Sequence, residues 1–245
     1  MAMQLVLSAI VLTAVGAAVW SRRKSWRSSV WQDTMTLALV LEGVGFILVA
    51  PWQTDLLGDL LFTVTGTAHM DDYLGHLCML ASVSAVIMAV AYRLIPKSGV
   101  ERFMLRIEAP GAAAAIIMLV CILFSSNTKT QATYDFFNVP VDGWLRAYWI
   151  TYGVTVVYLI GWLIRLLIIL RADKRSRLTC DLFGTGCAIG LVATTAIIAR
   201  VVAPGLHIPV QAVWAALSAS IGFSAVAGWV SWRRNARSVS PPPRR

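Results

Sequence analysis

The sequence predicts an all-α, polytopic membrane bundle of seven transmembrane helices, with the N-terminus outside and the C-terminus in the cytoplasm. Three observations carry that expectation. Of 245 residues, 58% are hydrophobic and only 13% charged, about half the ~25% charge of a soluble domain. The apolar residues fall in blocks long enough for a helix rising ~1.5 Å per residue to cross hydrocarbon. The basic residues gather in alternate connections between those blocks. In hydrocarbon each N–H and C=O must be satisfied within the segment, so the blocks form helices, and the ~10-residue alternation of barrel strands does not occur.

The spans follow in order: Met3–Trp20, Trp31–Ala50, Tyr73–Leu94, Ile107–Phe124, Trp144–Leu170, Leu178–Val202 and Val210–Trp232. The first could be mistaken for a signal peptide, but no positive charge precedes its apolar core and a basic cluster follows it, so it reads as a retained anchor. Seventeen of the 21 Lys and Arg fall in four segments, around Arg22–Arg27, Arg93–Arg106, Arg171–Arg177 and the tail from Arg233. The alternate connections hold Lys129 and Arg146, against Asp55, Asp59, Asp71, Asp72, Asp135 and Asp142. Basic loops mark the cytoplasmic side, which sets the orientation. The same loops suit anionic lipid head groups, and the chain's +9 net charge needs no nucleic acid to explain it. Residues 1–233 thus form one transmembrane domain, and 234–245, ending in three prolines and two arginines, a short basic tail without fold.

Finer features have their own expectations. Residues 54–64 place leucines on one helical face and Asp55 and Asp59 on another, as in a helix lying in the interface. The polar loop 125–143 has Phe136 and Phe137 dipping toward the bilayer. Trp20, Trp31, Trp52, Trp144, Trp149, Trp214, Trp229 and Trp232 fall near span ends, where amphipathic rings belong. Gly186 and Gly190, with small residues in the last span, predict close packing of the sixth and seventh spans. The four cysteines read as small packing residues, with a Cys78–Cys121 bridge as the alternative.

Charged residues in the spans are sorted by depth. Asp33, Glu108 and Asp181 are expected in first helical turns at the cytoplasmic side, favoured by the helix dipole, with Pro110 in the same opening turn as Glu108. Arg165 and Arg200 lie near span ends, where they can snorkel. Glu42 is the exception, an intramembrane ionisable residue ~12 Å from the nearer surface. Ionised and unpaired there, it would be costly. Gly43 and Gly45 beside it leave room for a neighbouring helix or a file of water.

The histidines all fall in the outer half. His69, Asp72 and His76 follow i, i+3, i+7 spacing, with His207 after the sixth span, a donor set that could bind zinc. Seven-helix membrane hydrolases of the ceramidase and progestin-receptor type use His and Asp this way, but this chain lacks their paired histidines in the last span. No phosphate loop, serine elbow, CxxC or haem-ligating pair appears, so no cofactor is expected and an enzyme is the less favoured class.

The stretches SVWQDTMTLALVLEGVGFILVAPW, LLFTVTGTAHMDDYLGHLCMLASV and RSRLTCDLFGTGCAIGL resemble the membrane half of actinobacterial multi-pass proteins labelled as transporters. The resemblance implies a seven-helix membrane protein, encoded by an actinobacterium or its phage, and supplies no catalytic residues. The cytoplasmic domain common in those proteins has no counterpart here. It favours a small-solute or ion transporter in the cell membrane. A sensor or interaction subunit working through a membrane or cytoplasmic partner protein is the alternative, and an outer-face metal hydrolase a remote third.

Overall fold

A computed structural model of the chain describes residues 2–23, 29–50, 55–130, 135–203 and 205–239. Lys24, Arg27, Trp52 and the tail beyond Val239 lie outside them. The described residues are all-helical: α1 (Ala2–Arg22), α2 (Val30–Val49), α3 (Asp55–Thr65), α4 (Met70–Leu94), α5 (Lys97–Phe124), α6 (Asn127–Thr130), α7 (Gly143–Leu170), α8 (Arg177–Val202) and α9 (Val210–Val239), with a 3-10 turn at Phe136–Asn138. Seven of them, all but α3 and α6, are long and apolar enough to cross a membrane. The chain is an integral membrane bundle.

The seven long helices close a ring in chain order, α1–α2–α4–α5–α7–α8–α9 and back to α1, with α4·α7 and α2·α9 contacts across it. The closest packing, α2 on α4, has a local cause. Gly45 and Gly75 face each other, and a Cβ on either would lie within 3 Å of the other's carbonyl oxygen. The α8·α9 contact works the same way: Gly186 and Gly190 admit Ser220, whose hydroxyl donates to Gly186 O at 2.8 Å. The GxxxG pair therefore packs inside the bundle.

Connections sort to two ends. At one, Arg93 reaches Asp173 at 4.0 Å, Arg234 donates to Arg175 O at 2.7 Å, and Arg93 lies 5.2 Å from the Trp31 ring. This is the basic end. At the other, Ala68 N donates to Thr128 O, Asn127 to Pro140 O, and Trp214 to Asp135. The charge segregation read from the loops is thus a spatial fact.

Some elements depart from expectation. α5 begins at Lys97, ten residues before the apolar block, because helical structure does not stop where hydrocarbon stops. Glu108 and Pro110 are therefore inside the helix rather than in its opening turn. Proline has no N–H for the carbonyl four residues back. That carbonyl, Arg106 O, accepts from the Tyr158 hydroxyl of α7 at 2.8 Å instead. Asp33 does sit in the first turn of α2, whereas Asp181 lies past the first turn of α8 and pairs with Arg171. α9 runs on to Val239, into the stretch expected as tail, since Arg and Ala sustain a helix outside the bilayer. α3 forms as the pattern of leucines suggested, with Leu57, Leu60 and Val64 exposed on it. The four cysteines are free.

Candidate functional site

The loop-rich end opposite the basic end concentrates the polar chemistry. His69 precedes α4 with φ 65°, a left-handed conformation that costs a non-glycine residue about 1 kcal/mol. Its side chain holds it there: Nδ1 donates to Asp72 Oδ2 at 2.9 Å, and the ring stacks on Phe136 with centroids 5.0 Å apart. One turn beyond Asp72, His76 is buried, and its Nδ1 shares a 2.7 Å hydrogen bond with the Tyr148 hydroxyl. Tyr152 at 4.4 Å, Trp149 at 5.2 Å and Phe136 at 6.1 Å complete an aromatic box around the imidazole.

The four candidate metal ligands are therefore not one site. His69 and Asp72 hold each other, His76 is engaged by Tyr148, and His207 stands exposed on the segment before α9. Among the described residues no group of three or more His, Cys, Asp or Glu is placed to hold a metal ion. Helical spacing aligned the side chains, but the left-handed residue at the α4 entry turned His69 back onto Asp72.

Beside the box lies a cavity of about 290 Å³ between loop 137–141, the start of α7, the end of α8 and the start of α9. Arg146 and Arg200 line it, with Trp149, Phe137 and Val213 among its apolar walls. Arg200 does not reach for head groups, as its place near a span end suggested. Its guanidinium donates to Ile208 O at 3.0 Å and Phe137 O at 3.3 Å, because both carbonyls lie in loops with no helix partner for them. Arg146 is exposed, and its side chain makes no hydrogen bond or ion pair among the described residues.

Two carboxylates frame this end. Burial raises the Asp135 pKa; the Phe137 amide and the Trp214 indole, both donating to the carboxylate, and the charge of Arg200 work against that rise. Asp142 caps α7. Partial burial alone would raise its pKa, but donation from the Leu145, Asn127 and Ser126 amides and the Ser125 hydroxyl holds it below the ordinary value.

Aromatic residues sort differently from expectation. Trp149 and Trp214 are buried in the bundle rather than set in an interfacial belt, and Phe136 turns inward onto the histidines. Their span-end positions look the same in sequence as that of Trp20, which is exposed.

Glu42 lies inside α2, seven residues from its end at Val49, and is half-buried. The Ser224 hydroxyl of α9, which donates to Ser220 O at 3.2 Å, stands beside it, and Cys187 of α8 lies nearby. The flanking glycines receive helices: Val15 of α1 lies against Gly43, and α4 against Gly45. Sequence reasoning missed two residues here. Arg200 and Tyr148 gained their roles from contacts far along the chain, and the only local signal was a charge or a hydroxyl within an apolar block. The chain matches no protein-family model, no curated protein and no solved structure.

Proposed function

We propose that this chain is a transporter-type protein of the cell membrane that takes a small anionic solute at the end opposite its basic segments. One observation carries the reading: a cavity of about 290 Å³ lined by two guanidinium groups, Arg146 and Arg200, with Trp149 and Phe137 among its apolar walls. That volume is near the ~300 Å³ lower bound of small-molecule sites, which are concave and apolar with a few placed polar groups. The first turn of α9 borders it, and helix N-termini favour anions. Glu42, within α2 and beside Ser224 of α9, suits a proton-exchanging group. The resemblance to actinobacterial proteins labelled as transporters supports the same class.

The positive-inside rule orients the basic end to the cytoplasm and the cavity outward, with the N-terminus outside. Labelling a single cysteine at position 174 from outside intact cells would reverse that orientation.

Trp149 forms the cavity wall and also packs 5.2 Å from His76, so the bundle beneath the cavity is filled. This favours a second reading, a sensor that binds without passing solute. Proteoliposomes separate the two. Uptake of small labelled carboxylates that is lost in Glu42→Gln, with folding intact, supports transport. Binding without flux supports the sensor. Neither binding nor flux would overturn the solute-site reading.

A further inference from the structure

Charge and shape at the loop-rich end narrow what the cavity there can hold. Among the described residues lining it, Arg146 and Arg200 are the ionisable side chains and Asn138 is the one other polar side chain. The two arginines differ in what they have left to give. Arg200 donates to Ile208 O and Phe137 O, and Asp135 stands close enough to feel its charge. Its guanidinium thus ties the 137–141 loop to the segment before α9, with a carboxylate beside it. Arg146 has no such partner, and its exposed side chain is unengaged among the described residues. Asp142 lies one turn before it but spends its carboxylate on the Ser125 hydroxyl and the Ser126 and Leu145 amides. The cavity therefore offers one positive charge without a counter-charge.

The walls decide what that charge can be attached to. Five β-branched side chains, Val139, Val141, Ile197, Val201 and Val213, line the cavity. Trp149 is buried and stacks on Phe137 at 5.3 Å, so it has little ring face to give a solute. A sugar or a nucleoside would bring hydroxyls and ring nitrogens that aliphatic walls leave without partners, at a cost for each. The volume of about 290 Å³ is room for about ten waters at ~30 Å³ each, and so for about ten heavy atoms of a solute.

Resting on the cavity as a solute site, we infer that its solute is a monocarboxylate with an apolar body of about five to eight carbons. A carboxylate meets the planar fork of Arg146 through two parallel hydrogen bonds and brings a single charge. Phosphate brings more charge near neutral pH and no apolar body. A dicarboxylate sets its second charge against valines, with no free cation to meet it.

The experiment titrates the full chain in lipid nanodiscs by calorimetry, with empty nanodiscs correcting for partition into lipid. The probes are acetate, butanoate, hexanoate, hexanamide, succinate and inorganic phosphate. Each added methylene from acetate to hexanoate should tighten binding by about two- to threefold, since its burial is favourable and partial. Hexanoate should bind at least about tenfold tighter than succinate, phosphate or hexanamide, the last matching its shape without its charge. Arg146→Ala should close the gap between hexanoate and hexanamide. Val141→Thr keeps the size of an exposed wall residue and adds a hydroxyl. It should lower the hexanoate-to-acetate affinity ratio by about twofold with an unchanged thermal midpoint.

Succinate or phosphate binding as tightly as hexanoate, and lost in Arg146→Ala, would keep an anion site and overturn the monocarboxylate. Affinity that stays flat from acetate to hexanoate would overturn the apolar body. Binding of none of the anions would remove the solute site itself, and this inference with it.

Discussion

At the basic end, the Arg22 guanidinium is fully enclosed where three helices meet. It donates to Gln32 Oε1 of α2 and to Gly228 O of α9, both at 3.0 Å, and lies 5.8 Å from the Trp31 ring. At the opposite end, Arg146 and Arg200 line an open cavity, and Arg146 is held by nothing among the described residues. The same side chain thus closes one end of the bundle and leaves charge on offer at the other. What distinguishes them is the company of carbonyls and amides rather than the residue type. An Arg supplied with acceptors from separate helices is a structural tie, while one facing a cavity is a binding group.

The comparison is broken most severely by removing the tie. Arg22→Leu leaves the Gln32 side chain and the Gly228 carbonyl buried without their donor. It should cost about 3 kcal/mol, seen as a large fall in thermal midpoint in detergent. Arg22→Lys should fall between, because an ammonium cannot span both acceptors with a planar fork. Solute binding by whatever fraction remains folded should be unchanged, since Arg22 is at the far end.

Much of the bundle was legible because bilayer length and charge alternation are local, additive signals. The seven spans, the amphipathic α3 and the segregation of basic from acidic loops all follow from them. What escaped was decided by long-range partners. Arg22 and Arg23 are adjacent and alike in sequence, yet one is buried against α9, 206 residues away, and the other exposed. The N-terminal third of α5 was hidden because Lys97, Glu101, Arg102 and Arg106 interrupt apolarity without interrupting the helix, and that put Glu108 inside the helix rather than in its opening turn. Of the candidate site, the end of the bundle and its His–Asp pair were readable. The cavity was not, since its walls come from four separate stretches and Arg200 looked like an ordinary interfacial arginine.

At the cavity end the expected stability effects are smaller. Asp142→Ala removes the cap of α7 and its bonds to Ser125 and Ser126, and should cost about 1 to 2 kcal/mol at neutral pH. Because the folded-state pKa of Asp142 is depressed, its contribution is present above the unfolded carboxylate pKa and is lost as pH falls through the lower folded value. Thermal midpoints of wild type and Asp142→Ala should therefore converge as pH drops below about 4. Midway between the ends, Tyr158→Phe should cost about 1 kcal/mol by leaving the Arg106 carbonyl without a donor. In a Pro110→Ala background, where the helix supplies its own donor, that cost should vanish. A double-mutant cycle on thermal midpoints checks it.

The central claim, that the end opposite the basic segments holds an anion site built on Arg146, is tested most directly by binding to the purified chain in nanodiscs. Benzoate and inorganic phosphate serve as probes, followed through the fluorescence of Trp149 in the cavity wall. Wild type should bind at least one of them, more weakly as salt rises, and Arg146→Ala should weaken it by about tenfold with no change in thermal midpoint. Affinity unchanged by Arg146→Ala, or binding of neither probe, would contradict the account.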